Sequence, residues 1–391
     1  LCTADDTGIM ERYGRELVRY ADSLLAHGPK DDRDLLVAKG KGFWGIGRSF
    51  AFRGMIDSTI YWWEQALPLW EAAKDEKMMA LGRSQLSQKL LSAGDIRRAI
   101  GLLNSALPYH RTAGDSASII DDHMFLGRAY DMLGDYPRSL DHYQAALLLA
   151  EQRPNMEDRG SLYTNIGSLY YTHDRSDSAL IWYERATAAY AHSWAPASAG
   201  IPWNNAAMIH QRHGELMEAL TCCDRGLEVS TNNGNGRCAL LGTKAAVLLE
   251  MGRPDSALLF SRKAVDALDA TASLESQVLA RSQLAKVLCV KGRYRDALEQ
   301  AQKARAIIDR VDIDIDTQRE IAHLLSDIHA KIGPAEKAYA YLKEYVSLND
   351  SIHNEETDRK LRALDLRKQE LADSLRASIE SKRVALVHQE E

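Results

Sequence analysis

Apolar and polar positions along this 391-residue chain recur in a fixed order with a period near forty. Leu, Ile, Tyr and Trp return at helical spacing, as in Leu140, Tyr143 and Leu147 or Leu180, Tyr183 and Ala186, with polar residues between them. A lattice of small residues is superimposed on this pattern. Gly54, Gly94, Gly134, Asp174, Gly214, Gly252, Gly292 and Gly333 follow one another at steps of 40, 40, 40, 40, 38, 40 and 41. Five positions later stand Thr59, Ala99, Ser139, Ala179, Ala219, Ala257, Ala297 and Ala338, and twelve later Ala66, Ala106, Ala146, Ala186, Gly226, Ala264, Ala304 and Tyr345. Seven positions before the first column stand Gly47, Ser87, Gly127, Gly167, Ala207, Ala245, Ala285 and Ser326. Repetition at this period predicts a solenoid of stacked supersecondary units.

Each unit reads as two helices that cross closely where neither carries a bulky side chain. The leading Gly suits the turn between them, because it tolerates positive φ and closes the first helix. Pro137, Pro254 and Pro334 follow their Gly within three residues, where the second helix begins and a missing N–H costs least. Pro68 and Pro108 lie fourteen after their Gly and are expected to end or kink the second helix early in the first two repeats. Residues 8–27, with Leu17, Tyr20, Ala21, Leu24 and Leu25 at helical spacing before Gly28-Pro29, predict a leading helix that caps the array.

Segments such as "LGDYPRSLDHYQAAL" (residues 133–147), "KGRYRDALEQAQKAR" and "NIGSLYYTHDRSDSALIWYERA" resemble tetratricopeptide repeats, with their small residue, tyrosine, Gly-Asp-Tyr and paired alanines. The resemblance implies an all-α fold, a right-handed α-solenoid of about eight tetratricopeptide-like helix pairs. Three regions follow: a capping helix region in 1–39, the repeat array in 40–350, and a charged C-terminal helix in 351–391. The chain departs from the family pattern in its period, longer than the common ~34, in lacking the terminal Pro of each unit, and in carrying Asp174 at a turn. The additional residues read as longer inter-repeat loops and helix ends, visible at "TNNGNGR" and "VDIDIDT".

Composition narrows the function. With 49 basic and 55 acidic residues the formal charge is −6, which argues against a nucleic-acid surface. No apolar run approaches the roughly eighteen residues that a membrane span needs. The chain starts at Leu1-Cys2, which reads as a processed start, either the end of a signal segment or part of a lipid-attachment site. The remaining cysteines, Cys222, Cys223, Cys238 and Cys289, have no disulfide spacing and read as buried small hydrophobes.

Enzyme motifs do not survive inspection. Gly40, Gly42 and Gly45 match a dinucleotide fingerprint in letter only, because "DRDLLVAK" rather than a strand precedes them. Asp312, Asp314 and Asp316 alternate like a calcium loop, yet Thr317 stands where Gly is needed and His323 where the bidentate Glu belongs. They read as a polar loop, with Thr317 and Glu320 as a capping box. His210 and His213 near Glu215 could offer two metal ligands, but His210 occupies the packing column of Tyr130 and Tyr170. No cofactor, metal or catalytic residue is expected in this chain.

Recognition is the function that remains. In the proteins it resembles, groove residues lie two before, one after and four or five after the small residue of each first helix. That resemblance assigns Asn165, Asn205, Gln85 and Gln283, then Arg48, Arg128, Lys286 and Gln88, then Tyr171, Gln211 and Arg212 to a peptide- or protein-binding groove. Repeated Asn amides could both donate to and accept from a peptide backbone. The stretch "YVSLNDSIHNEETDRKLRALDLRKQELADSL" resembles the segment that joins such arrays to a membrane helix in Bacteroidetes-type receptors with cyclase, histidine kinase or DNA-binding outputs. Leu361, Leu364, Leu371 and Leu375 form a broken heptad seam there, which implies a homodimer. The resulting expectation is a periplasmic or extracytoplasmic sensor region, membrane-tethered in a longer chain. The other reading is a free-standing cytoplasmic scaffold.

Overall fold

A computed structural model describes residues 4–153, 156–230, 234–268, 273–310 and 313–352. All regular structure among these residues is helical, and the fold is an all-α solenoid of tetratricopeptide-like repeats. The chain divides into two compact units, one covering residues 2–142 and the other residues 143–352.

The first unit holds α1 (Ala4–His27), α2 (Arg33–Phe52), α3 (Ile56–Ala72), α4 (Glu76–Ser92), α5 (Ile96–Ala113), α6 (Ser116–Met132) and the start of α7 (Tyr136–Glu151). The second holds the rest of α7, then α8 (Met156–Thr172), α9 (Ser176–Ala191), a short 3-10 turn (Pro196–Ala199), α10 (Gly200–Arg212), α11 (Leu216–Val229), α12 (Gly234–Glu250), α13 (Pro254–Asp266), α14 (Leu274–Val290), α15 (Tyr294–Ile308) and α16 (Ile315–Ile332). A further helix, α17, covers residues 335–352, the last of the described residues.

The small-residue columns are the contact lines. Ser87, Ala207, Ala245 and Ala285 of the first helices are fully buried, as are Ala99, Ala179, Ala219, Ala257 and Ala297 of the second. At Gly167 the reason is measurable: a Cβ there would lie 2.7 Å from the Tyr183 ring and 3.3 Å from the Ala179 carbonyl oxygen. Leucines and aromatics fill the space around these crossings, with Trp70, Tyr183, Leu103, Leu126 and Leu169 wholly enclosed.

The turn column holds in seven of eight places. Gly54, Gly94, Gly134, Gly214, Gly252 and Gly292 have φ between 69° and 80°, and Asp174 has φ 57°. Gly333 departs, with φ −108° and ψ −178°, an extended link into Pro334 and α17. Two further left-handed turns, at Lys74 and Gly114, escaped the column. They close the second helices α3 and α5, so turns stand at 54, 74, 94, 114 and 134, one every twenty residues.

This spacing corrects the source of the long period. Between residues 54 and 134 it comes from helices of 17 or 18 residues joined by tight turns, not from long loops. Pro68 and Pro108 also differ from expectation, because both lie inside uninterrupted helices. Pro68 sits between the buried Trp63 and Trp70, whose packing holds α3 together across the missing N–H. The cap of α16 is another correction: Asp314 accepts the Thr317 N–H at 2.8 Å, while Glu320 pairs with Lys286 instead of closing a box with Thr317.

Candidate interaction surface

The first helices α2, α4 and α6 of the first unit line a cleft of about 520 Å³. Arg48 and Phe52 come from α2, Gln85, Gln88 and Lys89 from α4, and Asp121, Met124 and Phe125 from α6. Arg128 lies one turn beyond and acts electrostatically on Lys89. Burial, then the Arg128 charge, lowers the Lys89 ammonium below its ordinary range. Among the described residues, Arg48, Lys89 and Arg128 form no ion pair. Some cations elsewhere in the chain are paired: Arg53 with Glu11, Arg98 with Glu64, Lys244 with Asp224 and Lys291 with Asp255.

A buried polar network underlies the cleft floor. Ser84 of α4 donates its hydroxyl to Asp122 of α6, and Asp122 lies 2.7 Å from Nδ1 of His110 on α5. All three are buried, and desolvation raises the Asp122 carboxyl above the usual carboxylate range despite both hydrogen bonds. The carboxylate stands between hydroxyl and imidazole, so it ties three helices together rather than orienting a histidine toward a serine.

In the second unit, polar residues on the first helices bond one repeat onward. Gln211 of α10 donates to Glu250 of α12, and Thr243 of α12 donates to Asn204 of α10 at 2.8 Å. Lys286 of α14 pairs with Glu320 of α16 at 2.9 Å. Arg212 sits over the Tyr171 ring at 5.7 Å, with Nη1 3.5 Å from its hydroxyl. Asn205 is hydrogen-bonded to the Tyr183 hydroxyl, which also lies 3.1 Å from Ser168 Oγ. Such contacts occupy side chains that a ligand would otherwise meet.

The four described cysteines are free thiols whose ionisation burial disfavours. Burial pushes the Cys223 thiol up to about 12 and those of Cys238 and Cys289 to about 11. Cys2 lies outside the described residues. His210 is half-buried, with Nδ1 2.6 Å from a Glu215 oxygen, and His213 is exposed. Among the described residues no three His, Cys, Asp or Glu converge as a metal site, and no helix is long and apolar enough to cross a membrane. Gly40, Gly42 and Gly45 lie within α2, and Asp314 and Asp316 serve as a helix cap and an Arg319 partner. Asp312 is outside the described residues.

Comparison with known proteins fits this geometry. The tetratricopeptide repeat family model matches residues 122–191 and 198–270. Those segments are tetratricopeptide repeats. The Arabidopsis thaliana protein Kinesin Light Chain-Related 1 is 22% identical over 282 residues, covering 69% of this chain and 46% of its own length. Its relative Kinesin Light Chain-Related 2 is 22% identical over 208 residues, covering 51% of this chain and 31% of its own length. The chain thus spans less than half the length of these curated relatives. A solved signal transduction ATPase with numerous domains, carrying a tetratricopeptide repeat sensor, from Pyrococcus horikoshii aligns with 88% of this chain and 54% of that one. Its TM-score is 0.57 at 15% identity, a likeness of fold. Tetratricopeptide repeats make protein-interaction modules and are generally non-catalytic scaffolds.

Against this frame of repeats the expected groove residues separate into two groups. Arg48, Gln85 and Gln88 line one cleft, with Arg128 beside it. Asn205, Gln211, Arg212, Tyr171 and Lys286 engage neighbouring side chains, while Asn165 and Gln283 are half-buried on α8 and α14. Lys89 and Ser84 belong to the cleft but lie outside the family register, whereas Phe52, five after Gly47, lies in it and was not among the expected residues. For Lys89 the available signal was a cation directly after Gln88.

Proposed function

We propose that this chain is a non-enzymatic protein-binding module whose α2–α4–α6 cleft holds an extended, acidic segment of a partner protein. The observation that carries this reading is that Arg48 and Lys89 line the cleft with Arg128 beside it, none of the three in an ion pair among the described residues, although Asp121 also lines the cleft. The Arg128 charge disfavours the half-buried Lys89 ammonium, and an anion between them would relieve that repulsion. Gln85 and Gln88 supply amides for a peptide backbone, and Phe52, Met124 and Phe125 supply apolar contact. The likeness of residues 345–375 to receptor linkers supports placing the module in the sensory region of a membrane-tethered bacterial receptor, on the extracytoplasmic side.

Fluorescence anisotropy with a labelled oligo-glutamate peptide and its oligo-glutamine counterpart tests the cleft. Oligo-glutamate should bind more tightly, and Lys89→Glu or Arg128→Glu should weaken it about tenfold, roughly 1.4 kcal/mol. Raising salt should weaken it in the same direction. Equal affinity for the two peptides would remove the acidic-segment reading.

A further inference from the structure

The α2–α4–α6 cleft carries charge of both signs, and the two signs stand at different heights along the helix axes. Two interactions fix the height of α6 against α4. Ser84 donates to Asp122, and the Lys89 ammonium feels the charge of Arg128. Lys89 stands five residues after Ser84 and Arg128 six after Asp122, so the two helices run in the same direction and nearly in step. On α2, Arg48 stands one after Gly47 as Arg128 stands one after Gly127, which puts a third cation at the equivalent register. Asp121 lines the same cleft from α6, exposed like Arg128 and seven residues before it, two turns away on the same face. At a rise of about 1.5 Å per residue, acid and cation are about 10 Å apart along α6. Phe125 lies between them and also lines the cleft.

An extended chain advances about 3.3 Å per residue, so a segment lying along α6 passes from one height to the other in about three residues. A uniformly acidic segment satisfies only the cationic height. Laid along α6, it sets a further carboxylate against Asp121, where like charges repel. We infer that the cleft selects a segment of mixed charge, with acidic residues against Arg48, Lys89 and Arg128 and, three residues away, a basic residue against Asp121. The two residues between them pass over Phe125. This inference rests on the reading of the cleft as a site for an acidic segment and names the order of charge within that segment. Asp121 is exposed, so the basic residue adds selectivity more than strength, roughly two- to fivefold in affinity, the range of an exposed ion pair.

Fluorescence anisotropy of the full chain with labelled peptides, acetylated and amidated to remove their terminal charges, tests the order. One peptide carries four glutamates followed by Ser-Ser-Lys, and a second carries Lys-Ser-Ser followed by four glutamates, because a chain can lie along α6 in either direction. Each has a reference in which Gln replaces the Lys. One lysine peptide should bind the wild type roughly two- to fivefold more tightly than its reference. In Asp121→Lys that preference should reverse, while plain oligo-glutamate binds at least as tightly as before. The circular dichroism melt of the variant should match the wild type, because the position is exposed. Oligo-glutamate binding with no lysine preference in either order, or a preference that survives in Asp121→Lys, would overturn the mixed-charge inference and leave the acidic-segment reading standing. Failure of every peptide, oligo-glutamate included, would overturn both.

Discussion

Asp174 occupies a backbone conformation that six other members of its column give to glycine. At φ 57° an L-residue pays on the order of 1 kcal/mol, softened for Asp by its short polar side chain. Its carboxylate is 89% exposed and 3.9 Å from Arg212, a contact worth little. Asp174→Gly should therefore raise the unfolding free energy by about 0.5–1 kcal/mol, read as a higher urea midpoint. The opposite lesson comes from Gly167, where the Tyr183 ring leaves no room for a side chain. Gly167→Val should cost about 1–3 kcal/mol, read from the same titration. Both positions were legible in the sequence, because a turn repeated seven times, or a close crossing repeated along the array, restricts φ or residue size in the same place each time.

Helices α6 and α7 meet through an uncharged histidine pair. Nδ1 of His123 lies 3.0 Å from Nδ1 of His142, which stacks on Tyr130. Arg111 approaches Nε2 of His123 at 3.4 Å, so that nitrogen accepts and Nδ1 carries the proton toward His142. Burial, then the neighbouring His142 and Arg111 charges, lowers His123 to about 4, and burial lowers His142 as well. The unfolded chain takes up these protons near 6.5, the folded chain only near 4 for His123. Between those values the unfolded state binds more protons, so stability falls as pH drops from about 6.5 to about 4, by on the order of 3 kcal/mol for His123. Asp122 has the opposite sign, since its raised folded value favours the folded state as pH falls toward the window above 3.8. Thermal unfolding across this range should show a falling midpoint for the wild type and a flatter one for His123→Phe. Nothing in the sequence marked this pair or the Ser84–Asp122–His110 network. Each joins residues from two or three helices, and the period locates helices without specifying which side chains meet between them. Pro68 and Pro108 misled for a related reason, because local propensity signals a break where tertiary packing restores the helix.

At the scale of the molecule, repeats stabilise one another through nearest neighbours. A lesion should loosen its own surroundings first. Hydrogen exchange on Gly167→Val should show lost protection concentrated in α8, α9 and α10, with α4 and α5 near the wild-type level. Uniform loss through both compact units would contradict that local coupling. The repeat architecture itself was readable from the columns, whereas the cleft was only half readable. Arg48, Gln85 and Gln88 fell in register, but which charges are paired among the described residues depends on contacts between helices that the period does not specify.

The even placement of turns at 54, 74, 94, 114 and 134 bears on how such a chain can change in length. Excising forty residues between two equivalent corners rejoins a first helix to the kind of neighbour it already had. Excising twenty would join helices of the same type and turn enclosed side chains outward. Gain and loss of sequence in this stretch are therefore confined to whole duplications of a hairpin, a quantum imposed by the geometry of its corners.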